Sequence, residues 1–427
     1  MRLSLSFLSL LIVPTTAFAQ VGFSGDWNGY WIRAGDTMPV TLHVQRDSAT
    51  GKYSATFDTD RLRVSGIPFN DVTVQRSEVI MVLRGDRTTM RFQGGLRGDS
   101  LKGTFTEEPG EAGAFAFARS RSSRPPFAER NLIWTNGDVT LAGSLLLPSG
   151  SATVPAVVFL HGSGPEGRWA SRFLAMQLAS HGIAALIYDK RGVGQSTGNW
   201  RQATPNDLAR DAAAAVARLR QEPGIDPRRI GLHGHSQGGT LAPLVAAQAP
   251  DIAFIIASAA AGLPMDSVEI FSILNSQLPD ASSAADSANA RTYVAELVAV
   301  AYQAQPRARL DSLAAAWYDR PWFFPPPAPD NSYWAFSKQY AQYQPLDWWA
   351  KVRVPVLLIY GAADQRVPAH ESAARIASTL ARSAPDVNVT VRILPGADHT
   401  FRLPPGPSGW PVTAPDYIPT LLRWLSR

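Results

Sequence analysis

Gly234-His235-Ser236-Gln237-Gly238 follows Arg229 to His233, which reads as a short buried strand, and precedes Thr240 to Ala249, a stretch rich in Ala and Leu that reads as a helix. A G-x-S-x-G pentapeptide between a strand and a helix is the sequence form of a nucleophile elbow. The turn is so tight that the serine takes strained backbone angles and only small residues fit beside it. Here Gly234, Gly238 and Gly239 fill those places. The pentapeptide also occurs by chance, so its meaning depends on where the chain puts a base, a carboxylate and donors for an oxyanion.

From residue 128 onward, short apolar strands alternate with helical stretches. The strands are Ala156 to Leu160, Ala184 to Tyr188, Arg229 to His233, Ala253 to Ala257, Val356 to Tyr360 and Val389 to Leu394. The helices include Phe173 to His181, Asp207 to Gln221 and His370 to Arg382. Ahead of them, Asn131 to Trp134 and Val139 to Leu147 flank Asn136-Gly137-Asp138, a hairpin signal. This rhythm predicts an α/β fold with a mainly parallel sheet covered on both faces. Ligands in such folds bind beyond the C-terminal strand ends, so the residues just after each strand are the informative ones.

Three of these loops carry a nucleophilic constellation. Ser236 needs a base to take its proton and a carboxylate to orient that base. Asp364 follows strand Val356 to Tyr360, and His399 follows strand Val389 to Leu394, in the chain order Ser, Asp, His. Asp398 adjoins His399 and is a poorer orienter for that reason. His235 and His161 read as structural, and His43, His181, His233 and His370 lack a matching context. For the oxyanion hole, the backbone N–H of Gln237 and that of Ser163, in His161-Gly162-Ser163-Gly164-Pro165, are the expected donors, with Gly164 next. Asp189 and Arg191 in Tyr188-Asp189-Lys190-Arg191-Gly192-Val193-Gly194-Gln195-Ser196 read as a salt-bridge and turn network.

Together, the elbow, the His161 loop and the Tyr188 loop resemble the α/β-hydrolase superfamily. More narrowly, they resemble exported bacterial hydrolases of the serine aminopeptidase-like and dienelactone hydrolase-like groups. The front of the chain, with Gly25-Asp26-Trp27-Asn28-Gly29, is similar to the β domain that precedes the catalytic domain in some bacterial carboxylesterases. The resemblance covers nearly all of the chain after residue 19 and implies ester hydrolysis most readily.

Residues 22–120 predict a separate all-β, barrel-like domain. Its expected strands are Met38 to Gln45, Tyr53 to Asp58, Val72 to Gln75, Val79 to Arg84, Thr88 to Gln93 and Leu101 to Thr106, with Trp27 and Trp31 as core aromatics. Residues 121–127, with Pro125-Pro126, read as a linker, and residues 128–427 as the catalytic domain. Residues 1–19 have the form of a secretory signal peptide: Arg2, an apolar run from Leu3 to Val13, and Ala17-Phe18-Ala19. An exported protein, periplasmic or secreted, is therefore expected.

Composition narrows the classes further. The chain has no cysteine, which removes disulfides, a Cys nucleophile and Cys-ligated metals. No H-E-x-x-H pairing appears, and neither a metal nor an organic cofactor is expected. A net charge of +5 is spread along the chain and comes almost wholly from Arg, so a nucleic-acid partner is not expected. No stretch after the signal reaches the ~18 apolar residues of a membrane span. The oligomeric state is not legible.

Residues 262–350 form a long insertion, helical in its first part and crowded with aromatics in its second. A helical cap is expected, with most aromatics gluing it to the core and a minority, among Trp317, Trp322, Phe323, Trp334 and Phe336, lining a substrate pocket. The predicted activity is hydrolysis of small-molecule carboxylic esters through an acyl-enzyme on Ser236. A peptidase on the same triad is the alternative, with Glu166 or Asp266 as the carboxylate that would hold an amine. From another class, a catalytically silent exported protein would use the cap and β domain to hold a ligand.

Overall fold

The computed structural model describes residues 22–85, 88–120, 125–150, 152–249, 251–276 and 283–426. The expected signal peptide and residues 121–124 of the expected linker lie outside the described residues. The chain divides into two compact units. One holds the described residues of Met1–Arg33, Pro39–Phe57 and Pro68–Arg121; the other holds Ala34–Met38, Asp58–Ile67 and the described residues of Ser122–Arg427. The division is thus not a single cut near residue 120, because two short stretches of the front region group with the second unit.

The front strands are β1 (Gly25–Arg33), β2 (Asp36–Arg46), β3 (Tyr53–Thr59), β4 (Val64–Pro68), β5 (Asp71–Gln75), β6 (Glu78–Arg84), β7 (Thr89–Arg97), β8 (Ser100–Glu108) and β9 (Gly113–Arg119). They form one sheet in the order β4-β3-β2-β1-β9-β8-β7-β6-β5. Within the first unit, β5 through β9 pair as an antiparallel meander and β1 closes onto β9, with Trp31 opposite Phe115. The sheet rolls around aromatics: Trp31 lies 5.0 Å from Phe57 and 4.9 Å from Phe92, ring centre to ring centre. Trp27 and Trp31 are both fully buried, as core residues should be.

Three of these strands, β1, β4 and β9, were not among those expected. β9 alternates Phe115 and Phe117, both buried, with alanines, a period of two that small residues disguise. β4 contains Gly66 and ends at Pro68, residue types depleted in strands.

The second unit is built on β10 (Phe127–Asn136), β11 (Val139–Pro148), β12 (Val154–Leu160), β13 (Ala184–Tyr188), β14 (Ile225–His235), β15 (Ile255–Ser258), β16 (Val356–Gly361) and β17 (Val389–Leu394). Their order is β10-β11-β13-β12-β14-β15-β16-β17. The β10–β11 hairpin and its contact with β13 are antiparallel, and the other pairs are parallel. This is the α/β-hydrolase arrangement. Alternation assigns the faces: Val158 and Leu160 pack with α2 (Pro205–Leu219) and α3 (Gln237–Gln248), whereas Val157 and Phe159 pack against α1 (Trp169–Ser180).

Between β15 and β16 stand α4 (Met265–Ser276), α5 (Ala284–Gln303), α6 (Ala308–Trp317), α7 (Ser332–Tyr340) and α8 (Pro345–Trp349). They make up the expected helical insertion. The chain then ends with α9 (Ala369–Ser383) and α10 (Tyr417–Leu425). Among the described residues, no helix is long and apolar enough to cross a membrane.

Trp31→Ala removes the residue around which the first unit's core is packed. Its expected cost is about 3–5 kcal/mol of unfolding free energy, read as a lower urea midpoint for the loss of β-type circular dichroism. A midpoint unchanged within error would contradict this packing.

Candidate active site

The elbow sits where β14 turns into α3. Ser236 has φ 55° and ψ −116°, outside the comfortable region for an L-residue, and its N–H donates to Ser258 O at 2.8 Å. The glycines make this approach possible. A Cβ at Gly234 would stand 2.3 Å from the backbone of Gly238, and one at Gly238 would stand 2.5 Å from Leu160 O. Thr240 closes the turn, donating from Oγ1 to Ser236 O at 3.0 Å and accepting from Ala261 N–H at 2.9 Å.

The structure brings Ser236, His399 and Asp364 into one chain of hydrogen bonds. Ser236 Oγ lies 2.9 Å from His399 Nε2, and His399 Nδ1 lies 2.7 Å from Asp364 Oδ2. The other oxygen of Asp364 accepts the N–H groups of Arg366 at 2.7 Å and Val367 at 2.9 Å. The carboxylate is buried and fixed on both sides, so it holds the imidazole in the tautomer that leaves Nε2 free to accept from the serine. Asp398 does not take part. Its Oδ1 instead accepts Thr400 N–H, Thr400 Oγ1 and Arg402 N–H, tying up the loop that carries His399.

His235 reinforces this loop. Its Nε2–H donates to the backbone O of His399 at 2.9 Å, and the two rings are 5.0 Å apart. Arg63 adds a further donor, to the backbone O of Thr400. Neither contact was legible beforehand. Arg63 comes from a stretch remote in sequence, and a histidine before a nucleophile carries no signal of what it will face.

The loops that carry the expected oxyanion donors are organised by Lys190, a residue that sequence reasoning passed over between Asp189 and Arg191. Its buried ammonium donates to Gly162 O at 2.5 Å, Gly164 O at 2.8 Å and Gln237 Oε1 at 3.3 Å. Because the peptide unit is planar and trans, turning Gly162 C=O toward Lys190 turns the Ser163 N–H the other way. Glu166 holds the loop from the opposite end, accepting Gly162 N–H at 2.7 Å. Among the described residues, the N–H groups of Ser163, Gly164 and Gln237 meet no acceptor. Burial pulls the Lys190 pKa down to about 8, with the charge of Glu166 opposing that shift. The signal for Lys190 was weak: a lysine after a strand is usually a solvated side chain.

The network expected around Asp189 and Arg191 is present. Arg168 pairs with Asp189 at 2.8 Å and Arg191 with Asp211 at 2.6 Å. His161 is a loop anchor, its Nε2–H donating to Tyr188 O at 2.6 Å.

The cap aromatics divide. Trp317, Trp322 and Phe323 gather with Tyr293 inside the cap, and Trp334 packs on Tyr333 and donates to Ala328 O at 2.8 Å. Phe336 stands apart: it stacks at 4.6 Å on Tyr340, whose hydroxyl accepts Gln237 Nε2–H at 2.6 Å. Tyr343 ties the cap to the elbow helix, donating to Thr240 O at 2.8 Å. Of the five candidates for the pocket, only Phe336 is linked in this way to an elbow residue. Glu166 is engaged by the loop, and Asp266 accepts Gln303 Nε2–H at 3.2 Å and Ser267 N–H at 2.7 Å. Both carboxylates thus already accept hydrogen bonds from neighbouring donors. Among the described residues, no group of three or more His, Asp or Glu side chains could hold a metal ion.

Residues 152–403 match the model of the family described as serine aminopeptidase, S33 (Hydrolase_4), which is more than half of the chain. The chain belongs to this family. Among relatives of this S33-type hydrolase, thiohydrolase aneE of Aspergillus aculeatus is 37% identical over 117 residues, 27% of this chain and 36% of that protein. Esterase EstD of Thermotoga maritima is 32% identical over 129 residues, 29% of this chain and 30% of that protein. The hydrolase thus spans about a third of the length of these curated relatives. A solved structure, the esterase Pf2001 of Pyrococcus furiosus, aligns at 18% identity with a TM-score of 0.44, over 72% of this chain and 92% of that one.

Burial drives the pKa of His161 and His233 from 6.5 to about 3 and that of His235 to about 4. Between pH 6.5 and those values, the unfolded chain takes up protons that the folded chain refuses. The contribution of these histidines to stability is therefore full above about pH 6.5 and is lost as the pH falls, each adding a slope that approaches about 1.4 kcal/mol per pH unit. Urea unfolding should give a lower free energy at pH 5 than at pH 7, with a shallower fall in His233→Asn. A pH-independent value would contradict the assigned burial.

Proposed function

We propose that the protein is an exported serine hydrolase that cleaves small carboxylic esters through an acyl-enzyme on Ser236. The observation that carries this reading is the hydrogen-bond chain from Ser236 through His399 to Asp364, set beside N–H groups without acceptors. The family and its esterase relatives support the class of reaction. The signal-like residues 1–19 support export, which N-terminal sequencing of the protein recovered from the periplasm or the medium would test.

In this reading Ser236 Oγ attacks the carbonyl carbon while its proton moves to His399 Nε2. Asp364 stabilises the imidazolium that forms. The negative charge on the carbonyl oxygen is met by the N–H groups of Gln237 and Ser163, held in place by Lys190 and the elbow. The C–O bond to the alcohol then breaks, and His399 returns the proton to the leaving oxygen. Water, deprotonated by the same imidazole, adds to the acyl carbon and releases the acid and the free serine. Phe336, through Tyr340, is the cap aromatic best supported as part of the pocket wall.

Two variants test the assignment on p-nitrophenyl acyl esters and aminoacyl p-nitroanilides. Ser236→Ala is expected to lose at least about 10⁴-fold in kcat. Lys190→Met is expected to lose about 10- to 1,000-fold in kcat with a smaller change in KM, since it loosens the oxyanion donors rather than the ester. Ester turnover equal in wild type and Ser236→Ala would overturn the mechanism. Preferential cleavage of the anilides would move the substrate class to peptides.

A further inference from the structure

A cavity of about 310 Å³ within the second unit lies beside the elbow and is not used by the triad. Its wall includes His235, the residue before Ser236, and Thr400, the residue after His399. Its volume is at the lower end of the range for small-molecule sites. Leu62, Ile67 and Trp169 give it an apolar side, whereas Arg63 and Arg402 bring two guanidinium groups to the same space.

Neither arginine side chain forms an ion pair among the described residues, and the Nε–H of each is buried without a hydrogen-bond partner. The nearby carboxylates also accept backbone and hydroxyl donors of their own loops. Glu166, which also lines the cavity, accepts Gly162 N–H, and Asp398 accepts three donors of the His399 loop. Arg63 is held by Thr400 O, lies 5.1 Å from the centre of the Tyr417 ring and interacts with the Tyr417 hydroxyl, and the charge of Asp398 also favours its ionised form. Its own backbone is in the left-handed region at φ 54°, an unfavourable conformation for a side chain of that size. Burial lowers its pKa, with Arg402 adding to that shift and Tyr417 and Asp398 opposing it.

Two like charges brought together in a half-buried pocket oppose each other, and an anion between them relieves that repulsion. A planar guanidinium presents paired N–H donors at the spacing of a carboxylate's oxygens. We propose that this cavity binds a carboxylate carried by the substrate, so that the ester cleaved at Ser236 is one with a free acid group beyond the scissile bond. This inference rests on the serine-esterase reading and narrows its substrate class.

Paired esters test it in the full-length protein. p-Nitrophenyl hydrogen glutarate against p-nitrophenyl valerate places the charge on the acyl side, and 4-acetoxybenzoate against phenyl acetate places it on the alcohol side. The expected result is a kcat/KM at least tenfold higher for the charged member of one pair, an advantage that shrinks in 1 M salt and falls toward unity in Arg402→Met. Because Arg63 also braces the His399 loop, Arg402→Met is the principal variant and Arg63→Met the second. No preference for either charged ester in wild type would overturn the inference. So would equal losses on charged and neutral esters in both variants, since the arginines would then only hold the loop. Failure to hydrolyse any of the four esters would instead overturn the esterase reading itself, which keeps the two failures apart.

Discussion

At Ser236 the backbone is held at φ 55° and ψ −116°, a conformation that costs on the order of 1–3 kcal/mol. The site depends on this constraint. It lifts Oγ out of the strand–helix junction toward His399 while leaving the next N–H, that of Gln237, at the start of a helix with no acceptor among the described residues. The surroundings over-determine it. Gly234 and Gly238 touch where no Cβ would fit, Ser258 O accepts the serine N–H, and Thr240 fastens the serine's carbonyl.

With Ser236 rigid, its hydrogen-bonding partners have to be brought to it, and each arrives on a loop held by buried polar groups. Lys190 takes two carbonyls of the Gly162–Gly164 loop and the side chain of Gln237, so one ammonium spans both sources of the proposed oxyanion donors. The His399 loop is held through consecutive backbone oxygens, by His235 at His399 and by Arg63 at Thr400, and from within by Asp398. Loops after strands are free to diverge in sequence, but a catalytic loop must be located to within a fraction of an ångström. Buried donors of this kind supply that precision, because leaving any of them unpaired would be costly.

Much of the second unit was legible because its signals are local. Apolar runs such as Val356 to Tyr360 announce buried strands, and the elbow, Asp364 and His399 each stand at a fixed offset from a strand end. The sequence pattern therefore located the residues that the structure brings within hydrogen-bonding distance. What it missed depends on contacts between segments far apart in the chain. Nothing around Arg63 hints that it meets a residue numbered 400, and Lys190 looks like a surface lysine until the loop folds over it. The aromatics of the cap were visible as a group, but only packing separates Phe336, stacked on a partner of Gln237, from the cluster around Tyr293. In the front region, β9 was hidden by alanines between its phenylalanines.

The central claim is that Ser236 is the nucleophile and that His399 makes it one. Reaction of the purified protein with a fluorophosphonate, followed by peptide mass spectrometry, reads this directly, because the reagent bonds to a serine only when a base activates it. The account predicts a single adduct on the peptide containing Ser236, absent in Ser236→Ala and formed far more slowly in His399→Asn. An adduct on another residue, or labelling of Ser236 at an unchanged rate without His399, would contradict it.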